Sequence, residues 1–274
     1  MVLTPALLFR TMSTVHIEQL DFKPVVMYFV ATIVLFGGIL VWQGASRRSA
    51  LLALTATFGN TLAIGAPLVA MAYGPAALVT LLTLISVHAL ILLTLATLVL
   101  EWAVAREHLA AGTASAQGAL GTVLRTVRNG FIHPVPLPII LGLLFAQTGL
   151  VMAPVLDRPL ALLGSAFGPM ALLLVGLTMA FMKVGTHLRA ALGMTLLKNL
   201  VLPVLVAAFS WIMGLRGQPL VVMIVAASLP VGANVFLFSQ RYEVAQELVT
   251  ASMAVSTAMA LATVSLVMML VTFL

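Results

Sequence analysis

Long apolar runs, separated by short polar clusters, dominate the chain. From Ser49 to Leu100 there are 52 consecutive residues without Asp, Glu, Lys or Arg. A helix needs roughly 20 apolar residues to cross a bilayer, so this run is long enough for two crossings and a turn. The hydropathy pattern predicts complete membrane-spanning helices at residues 25–43, 51–73, 76–100, 131–150, 160–182, 190–214, 219–239 and 246–273.

The basic residues flank these predicted helices unevenly. Each crossing moves the chain to the other side of the membrane, and Lys and Arg concentrate in cytoplasmic loops. One side collects Arg47, Arg48, Arg106, Arg125, Arg128, Lys183, Arg189, Lys198 and Arg241. The other side collects Arg10, Lys23, Arg158 and Arg216. The imbalance places the loop 101–130 in the cytoplasm and the C-terminus outside it. Helical spacing at residues 120–127 indicates either a short basic amphipathic helix on the membrane surface or an early start of the next span.

A proline-containing motif occurs in both halves of the chain. Pro5 opens Pro-Ala-Leu-Leu, Pro169 opens Pro-Met-Ala-Leu-Leu, and further prolines follow at Pro67 and Pro230. Many secondary transporters consist of two inverted halves with broken helices in corresponding positions. We therefore predict an all-α polytopic membrane protein with two inverted repeats. These are residues 1–100, with a crossover helix at 51–73, and 131–274, with a crossover helix at 219–239, joined by the loop 101–130.

The first predicted repeat has one helix fewer than the second. Val2 to Phe9 is apolar, but eight residues of helix cover only about 12 Å, which is too short to cross a bilayer. This segment resembles the end of a helix whose beginning is missing. We expect the full-length gene product to begin upstream of Met1, with one further helix and the first part of this one.

Both predicted crossover helices contain residues that interrupt helices. Proline removes a backbone donor and glycine loosens the helix, so we expect one break between Gly65 and Pro67 and another at Pro230. The free N–H groups at the N-terminus of a half-helix can bind a carboxylate without a nearby lysine. The candidate substrate-binding residues at the two breaks are Asn60, Thr61, Gly65, Pro67, Ser228, Pro230, Gly232 and Asn234. Alternatively, the prolines only kink packed helices and the asparagines bond neighbouring helices.

Two ionisable residues lie inside predicted spans. His88, in the middle of an apolar span, is a further candidate for contact with substrate or protons, although a neutral histidine bonded to a neighbouring helix explains it as well. Lys198 lies two turns into its span. We expect it to extend towards the cytoplasmic interface, or to attract anions at the inner mouth.

Composition excludes several classes of protein. With 62% apolar and 7% charged residues and a mean hydropathy of +1.21, the chain cannot be a soluble domain. The net charge of +6 is explained by loop residues that set orientation, so no nucleic acid partner is expected.

All seven acidic residues fall in loops or at helix ends, which disfavours a proton or sodium antiporter. No ATP-binding signature, HExxH motif or paired acid occurs, so no cofactor or metal is expected. A channel and a membrane-embedded enzyme remain alternatives to a carrier.

The order of these motifs resembles that of the auxin efflux carrier family. The matching segments are Pro5 to Arg10, Gly59-Asn60-Thr61 with Gly65-Ala66-Pro67, His133-Pro134 with Leu141-Gly142-Leu143-Leu144, and Leu229 to Asn234 with Gln240-Arg241-Tyr242. The chain is similar to the bacterial malonate and malate permeases of that family. The resemblance implies ten helices in two inverted repeats, a scaffold domain, and a transport domain whose helices cross at Pro67 and Pro230. It also implies organic-anion substrates, homodimers, elevator-like movement in the inner membrane, and the absence here of the first helix and part of the second.

Overall fold

The computed structural model of the protein describes residues 3–15, 21–110, 136–180 and 187–273. Within these ranges the chain is helical and contains no β-strand, which confirms the predicted all-α class. The helices are α1 Leu3–Met12, α2 Lys23–Gln43, α3 Arg47–Thr57, α4 Ala66–Ala110, α5 Pro136–Gln147, α6 Pro154–Ala180, α7 Leu188–Leu196, α8 Leu202–Ile212, α9 Gln218–Ser228, α10 Asn234–Tyr242 and α11 Gln246–Val271.

Among the residues that the structure describes, four helical stretches are long and apolar enough to cross a membrane. They are Lys23–Gln43, Thr61–Val104, Leu188–Ile212 and Gln246–Val271, with mean hydropathies from 1.9 to 2.4. α2 illustrates the pattern, because Tyr28 and Phe36 are buried while Ile33 and Val34 are exposed on its other side. A helix that is apolar on all sides can face both the protein and the lipid. The chain is therefore a polytopic membrane protein, as predicted.

Helix α4 contains a sharp kink at Gly74. Gly74 has φ 82° and ψ −174°, a conformation that residues with a side chain rarely adopt, and Pro75 follows it. The kink corresponds to the predicted boundary between residues 73 and 76. α4 then continues to Ala110, so the predicted loop at 101–130 begins too early. Polar contacts support this helical extension: Glu107 pairs with Arg47 of α3 at 2.8 Å, and Glu101 accepts a hydrogen bond from the Tyr242 hydroxyl. The predicted amphipathic helix at 120–127 lies outside the described residues.

The first crossover helix is interrupted earlier than the sequence predicted. α3 begins after a capping box formed by Ser46 and Ser49 and ends at Thr57. An extended stretch, 58–60, follows, and the helix restarts as a π-helical turn, Thr61–Gly65, that leads into α4. The expected break between Gly65 and Pro67 is therefore wrong. Proline cannot donate to the preceding turn, and the wider π-helical turn accommodates Pro67 without ending the helix.

The second crossover helix is interrupted at Pro230, as predicted. α9 ends at Ser228 and α10 begins at Asn234, with residues 229–233 between them outside the helix. The preceding span contains a second π-helical turn, Leu197–Val201, which joins α7 to α8. Pro203 follows that turn at the same offset as Pro67 follows the first. Both π-helical turns thus lie just before a proline.

Helices α5 and α6 both pack mainly against α1, and we call the three helices the α1/α5/α6 group. Glycines allow this close packing, because a Cβ atom on Gly142 would lie 2.6 Å from the carbonyl oxygen of Phe9 and one on Gly164 would lie 3.3 Å from Cα of Leu7. Among the described residues, this group meets the remaining helices mainly at the π-helical turn Thr61–Gly65 and at α4. The breaks of both crossover helices belong to the remaining helices.

Candidate functional site

The two interrupted segments meet and pair through their backbones. The Asn60 N–H donates to the Pro230 carbonyl at 2.8 Å, and the Gly232 N–H donates to the Phe58 carbonyl at 2.9 Å. Gly59 and Val231 form an antiparallel bridge between these bonds. Helix breaks leave backbone groups without partners inside the membrane, and this pairing satisfies several of them. We call the paired segments, residues 58–60 and 229–233, the crossing.

Glycines are required where the segments touch. A Cβ atom on Gly232 would lie 2.8 Å from Cδ1 of Phe58 and 2.9 Å from the Gly59 carbonyl oxygen. A Cβ atom on Gly65 would lie 2.6 Å from Cδ1 of Leu229. At Gly232 the obstacle includes backbone that cannot move aside, whereas at Gly65 the Leu229 side chain would have to shift.

Four helix ends converge on the crossing. α3 and α9 end there, and their last carbonyl groups carry a partial negative charge. The half-helices beginning at Thr61 and Asn234 start there, and their first N–H groups carry a partial positive charge. At the crossing, the N-termini of the two half-helices can therefore face an anion, and the C-termini of α3 and α9 can face a cation.

Lys198 lies at the negative end of α9. Its side chain is fully buried, and its Nζ donates to the carbonyl oxygens of Ala227 at 2.6 Å and Leu229 at 2.7 Å. The expectation that Lys198 reaches the cytoplasmic interface is therefore wrong. The π-helical turn Leu197–Val201 places the ammonium group beside the end of α9, where two carbonyl oxygens replace the water that the charge has lost.

A polar network from α11 also holds the second break. The Val231 N–H donates to Oγ of Ser256 at 3.1 Å. Asn199, next to Lys198, donates from Nδ2 to the Ser256 carbonyl at 3.1 Å and to Oγ1 of Thr263 at 3.1 Å. The side chains of Asn199 and Ser256 are fully buried. This network connects the second break to α7, α8 and α11.

Aromatic residues surround the first break. The ring of Phe58 packs against the ring of His88 with 4.6 Å between centroids. Nε2 of His88 lies 3.2 Å from the Tyr28 hydroxyl, and both side chains are buried. His88 is thus separated from the paired backbone by Phe58, and it bonds to a neighbouring helix, which was one of the two interpretations of this residue.

The predicted site residues differ in their surroundings. Asn60 pairs with Pro230, whereas Gly232 contacts Phe58 and Gly65 approaches Leu229. Asn60 and Asn234 are partly exposed, each at the start of a half-helix, whereas Thr61 is buried. Ser228 is fully buried, and its hydroxyl donates to the Val225 carbonyl of its own helix at 2.8 Å.

Pro67 lines a cavity. This cavity, of about 330 Å³, lies between α4 and the α1/α5/α6 group. Arg10 is the charged residue among those that line it. Nε of Arg10 donates to the Asp157 carboxylate at 2.8 Å, and both side chains are partly exposed. Pro67 and the neighbouring Ala70 thus connect the first half-helix to an apolar cavity with a basic residue in its wall.

Sequence reasoning missed Lys198 and Arg10 as members of this region. Lys198 carries the signal that an ionisable residue inside a membrane span is costly and therefore functional by default. Its position nearer one end of the span favoured the snorkelling interpretation instead. Arg10 had no such signal, because the cavity it lines brings together residues more than 150 positions apart.

Comparison with known proteins shows the family to which the chain belongs. The profile of the membrane transport protein family, described as "Membrane transport protein", matches residues 1–268. The chain belongs to this family. It is also 24% identical over 269 residues to a protein of Rhizobium meliloti (strain 1021) named "Putative malonate transporter", a match that covers 95% of this chain and 81% of that protein. The resemblance read from the crossover motifs is confirmed, and paired broken helices are the feature that family membership leads us to expect of a transporter.

Proposed function

We propose that this membrane transport protein is a secondary carrier of small organic anions, in the class of malonate and malate, in a bacterial-type inner membrane. The observation that carries the proposal is the backbone pairing of the two breaks, Asn60 with Pro230 and Phe58 with Gly232. Broken helices that meet in this way form the substrate sites of many secondary transporters. The substrate class comes from the name of the similar rhizobial protein.

The proposed binding site lies at the positive ends of the two half-helices. Asn60 and Asn234 are partly exposed, so their side-chain amide groups can contact a substrate. The first N–H groups of each half-helix can donate to one carboxylate. Thr61 and the glycines Gly65 and Gly232 shape the site. Ser228 and Pro230 hold the end of α9, and His88 positions Phe58 from behind.

The cavity lined by Pro67 gives the substrate a path beside the crossing. Its volume of about 330 Å³ is ample for a three- or four-carbon dicarboxylate. Arg10 supplies positive charge in its wall, and its exposed pairing with Asp157 can exchange for a substrate carboxylate. The cavity follows the boundary between the α1/α5/α6 group and the other helices. Movement of one group along the other would alternate access, with the α1/α5/α6 group as scaffold and as the surface for a homodimer.

Two alternatives fit the crossing less well. A channel needs an open path, whereas the paired backbone, Phe58 and Lys198 fill the centre of the crossing with buried groups. A membrane-embedded enzyme needs a nucleophile and base within reach of each other. The buried ionisable groups described here instead bond to backbone carbonyls or, in the case of His88, to Tyr28. We also propose that the loop after α4 is cytoplasmic and that the C-terminus lies outside.

Uptake of radiolabelled malonate and malate into proteoliposomes tests the proposal. The variants are Asn60→Ala and Asn234→Ala, and the control is Gln147→Ala, because Gln147 is an exposed amide residue whose side chain donates only to its own helix. We expect saturable uptake by the parent protein. Each asparagine variant should lower uptake about tenfold, since a hydrogen bond to a charged group contributes about 1.5–3 kcal/mol.

Two results would contradict this proposal. Uptake that is unchanged in both asparagine variants would remove the site from the half-helix N-termini. A parent protein that takes up neither acid would remove the substrate class. A loss of uptake in Gln147→Ala as large as in the asparagine variants would show that the assay reports damage to the fold rather than loss of the site.

A further inference from the structure

The ammonium group of Lys198 contacts both broken helices. It donates to the Ala227 and Leu229 carbonyls, which belong to the end of α9. On its other side, a Cβ atom on Gly59 would lie 3.2 Å from Nζ, so the first break approaches it closely as well. The amino group of Lys198 is therefore enclosed between the two interrupted helices, and no part of the side chain is exposed.

This environment has the chemistry of a cation site. In carriers with broken helices, unwound carbonyl groups and the C-terminal ends of half-helices coordinate the coupling cation. The partial negative charge at the end of α9 is stabilised by a positive partner inside the membrane. Lys198 supplies that partner as a covalently attached cation. Within the described ranges, no carboxylate lies at ion-pair distance from it.

We propose that the Lys198 ammonium occupies the place of a coupling cation, so that this carrier works without added sodium or potassium. This inference rests on the proposed function, because it assigns the source of positive charge at the same crossing. It makes Lys198 a positioning residue that holds the second break in its paired conformation. It also predicts that removal of the ammonium group creates a site for a free cation.

The first measurement needs only the parent protein. Malonate uptake is compared in sodium, potassium and choline media of equal ionic strength. We expect equal rates in all three. Uptake that requires sodium or potassium would overturn the inference while leaving the carrier function intact. If no medium supports uptake, the proposed substrate class is wrong. The thermal unfolding measurement described below then tests the role of Lys198 without substrate.

The second measurement compares Lys198→Ala with Lys198→Met. Alanine leaves a space beside the two carbonyls, whereas methionine fills the space with an uncharged chain of similar length. Both variants should lose about tenfold or more of the uptake in choline, because the carbonyls are left without their charged partner. Sodium should restore at least about half of the uptake to Lys198→Ala as its site fills by mass action, and should not restore Lys198→Met.

Thermal unfolding in detergent gives a readout that does not depend on substrate. Rising concentrations of ammonium chloride, against choline chloride as control, should raise the melting temperature of Lys198→Ala and leave the parent protein and Lys198→Met unchanged. A purely structural lysine would give two variants that are equally destabilised and equally insensitive to the cation. That result, or full uptake by Lys198→Ala in choline, would overturn the inference.

Discussion

The two broken helices occupy equivalent places in the fold but are held by different chemistry. At the second break, Lys198 neutralises the end of α9 and Ser256 accepts the Val231 N–H. At the first break, the surroundings are the rings of Phe58 and His88, and the chain continues through a π-helical turn. The second break is thus fixed by charge and hydrogen bonds, and the first by packing against aromatic side chains.

This difference shows that a matched pair of helix breaks need not have matched chemistry. Both breaks face the same problem, which is to satisfy backbone groups inside the membrane. Their mutual pairing solves part of it for both. At the second break Lys198 and Ser256 bond further backbone groups, whereas at the first break aromatic side chains pack around the segment. Substitutions at the contact between the two segments should therefore lower the melting temperature and uptake more than substitutions in the surroundings of either break.

The largest effect is expected at the contact that both breaks share. Gly232→Ala places a Cβ atom 2.8 Å from Phe58 and 2.9 Å from the Gly59 carbonyl, and the latter is backbone that cannot rotate away. Overpacking of this kind costs about 1–3 kcal/mol, so we expect a lower melting temperature and a loss of uptake. Thermal unfolding in detergent measures the first effect and proteoliposome uptake the second.

Gly38→Ala is the matched control for this substitution. Gly38 lies on the exposed side of α2, and an added Cβ atom would meet no atom within 4 Å. Alanine is favoured over glycine inside a helix by about 0.5–1 kcal/mol, so this control should be neutral or slightly stabilising. Equal melting temperatures for the two variants would show that the backbone pairing does not hold the breaks together.

The sequence predicted the helices well because apolar length is a direct requirement of the bilayer. The kink at Gly74 and the break at Pro230 were also predictable, since glycine and proline act through the local backbone. The position of the first break was not. Gly65 and Pro67 carry the stronger local signal, but Gly59 is the glycine beside Lys198. The position of the break depends on Lys198, which is about 140 residues away from Gly59 in the sequence. A local sequence pattern contains no information about such a distant neighbour.

An intermediate effect is expected at the hydrogen bond that fixes the second break. Ser256→Ala removes the acceptor for the Val231 N–H and leaves a buried donor unpaired. An unpaired buried group costs about 1–3 kcal/mol. We expect a smaller fall in melting temperature than for Gly232→Ala, with reduced uptake because the second break is less well held.

Ser252→Ala is the matched control on the same helix. Ser252 is as fully buried as Ser256, but its hydroxyl donates only to the Leu248 carbonyl of α11, a group that is already bonded within the helix. Its removal should therefore change the melting temperature little. If Ser252→Ala and Ser256→Ala behaved alike, the second break would not depend on the network from α11.

The smallest effect is expected at the aromatic surroundings of the first break. His88→Leu should leave the buried Tyr28 hydroxyl without a partner and cost about 1 kcal/mol, whereas adding Tyr28→Phe removes that hydroxyl as well. The double variant should therefore unfold nearer to the parent temperature than His88→Leu alone, and a double-mutant cycle of melting temperatures measures the coupling. Uptake should follow the same order, since packing against Phe58 is retained in part. A double variant that is stable but inactive would instead give His88 a direct part in transport, and the first break would then depend on a polar group as the second does.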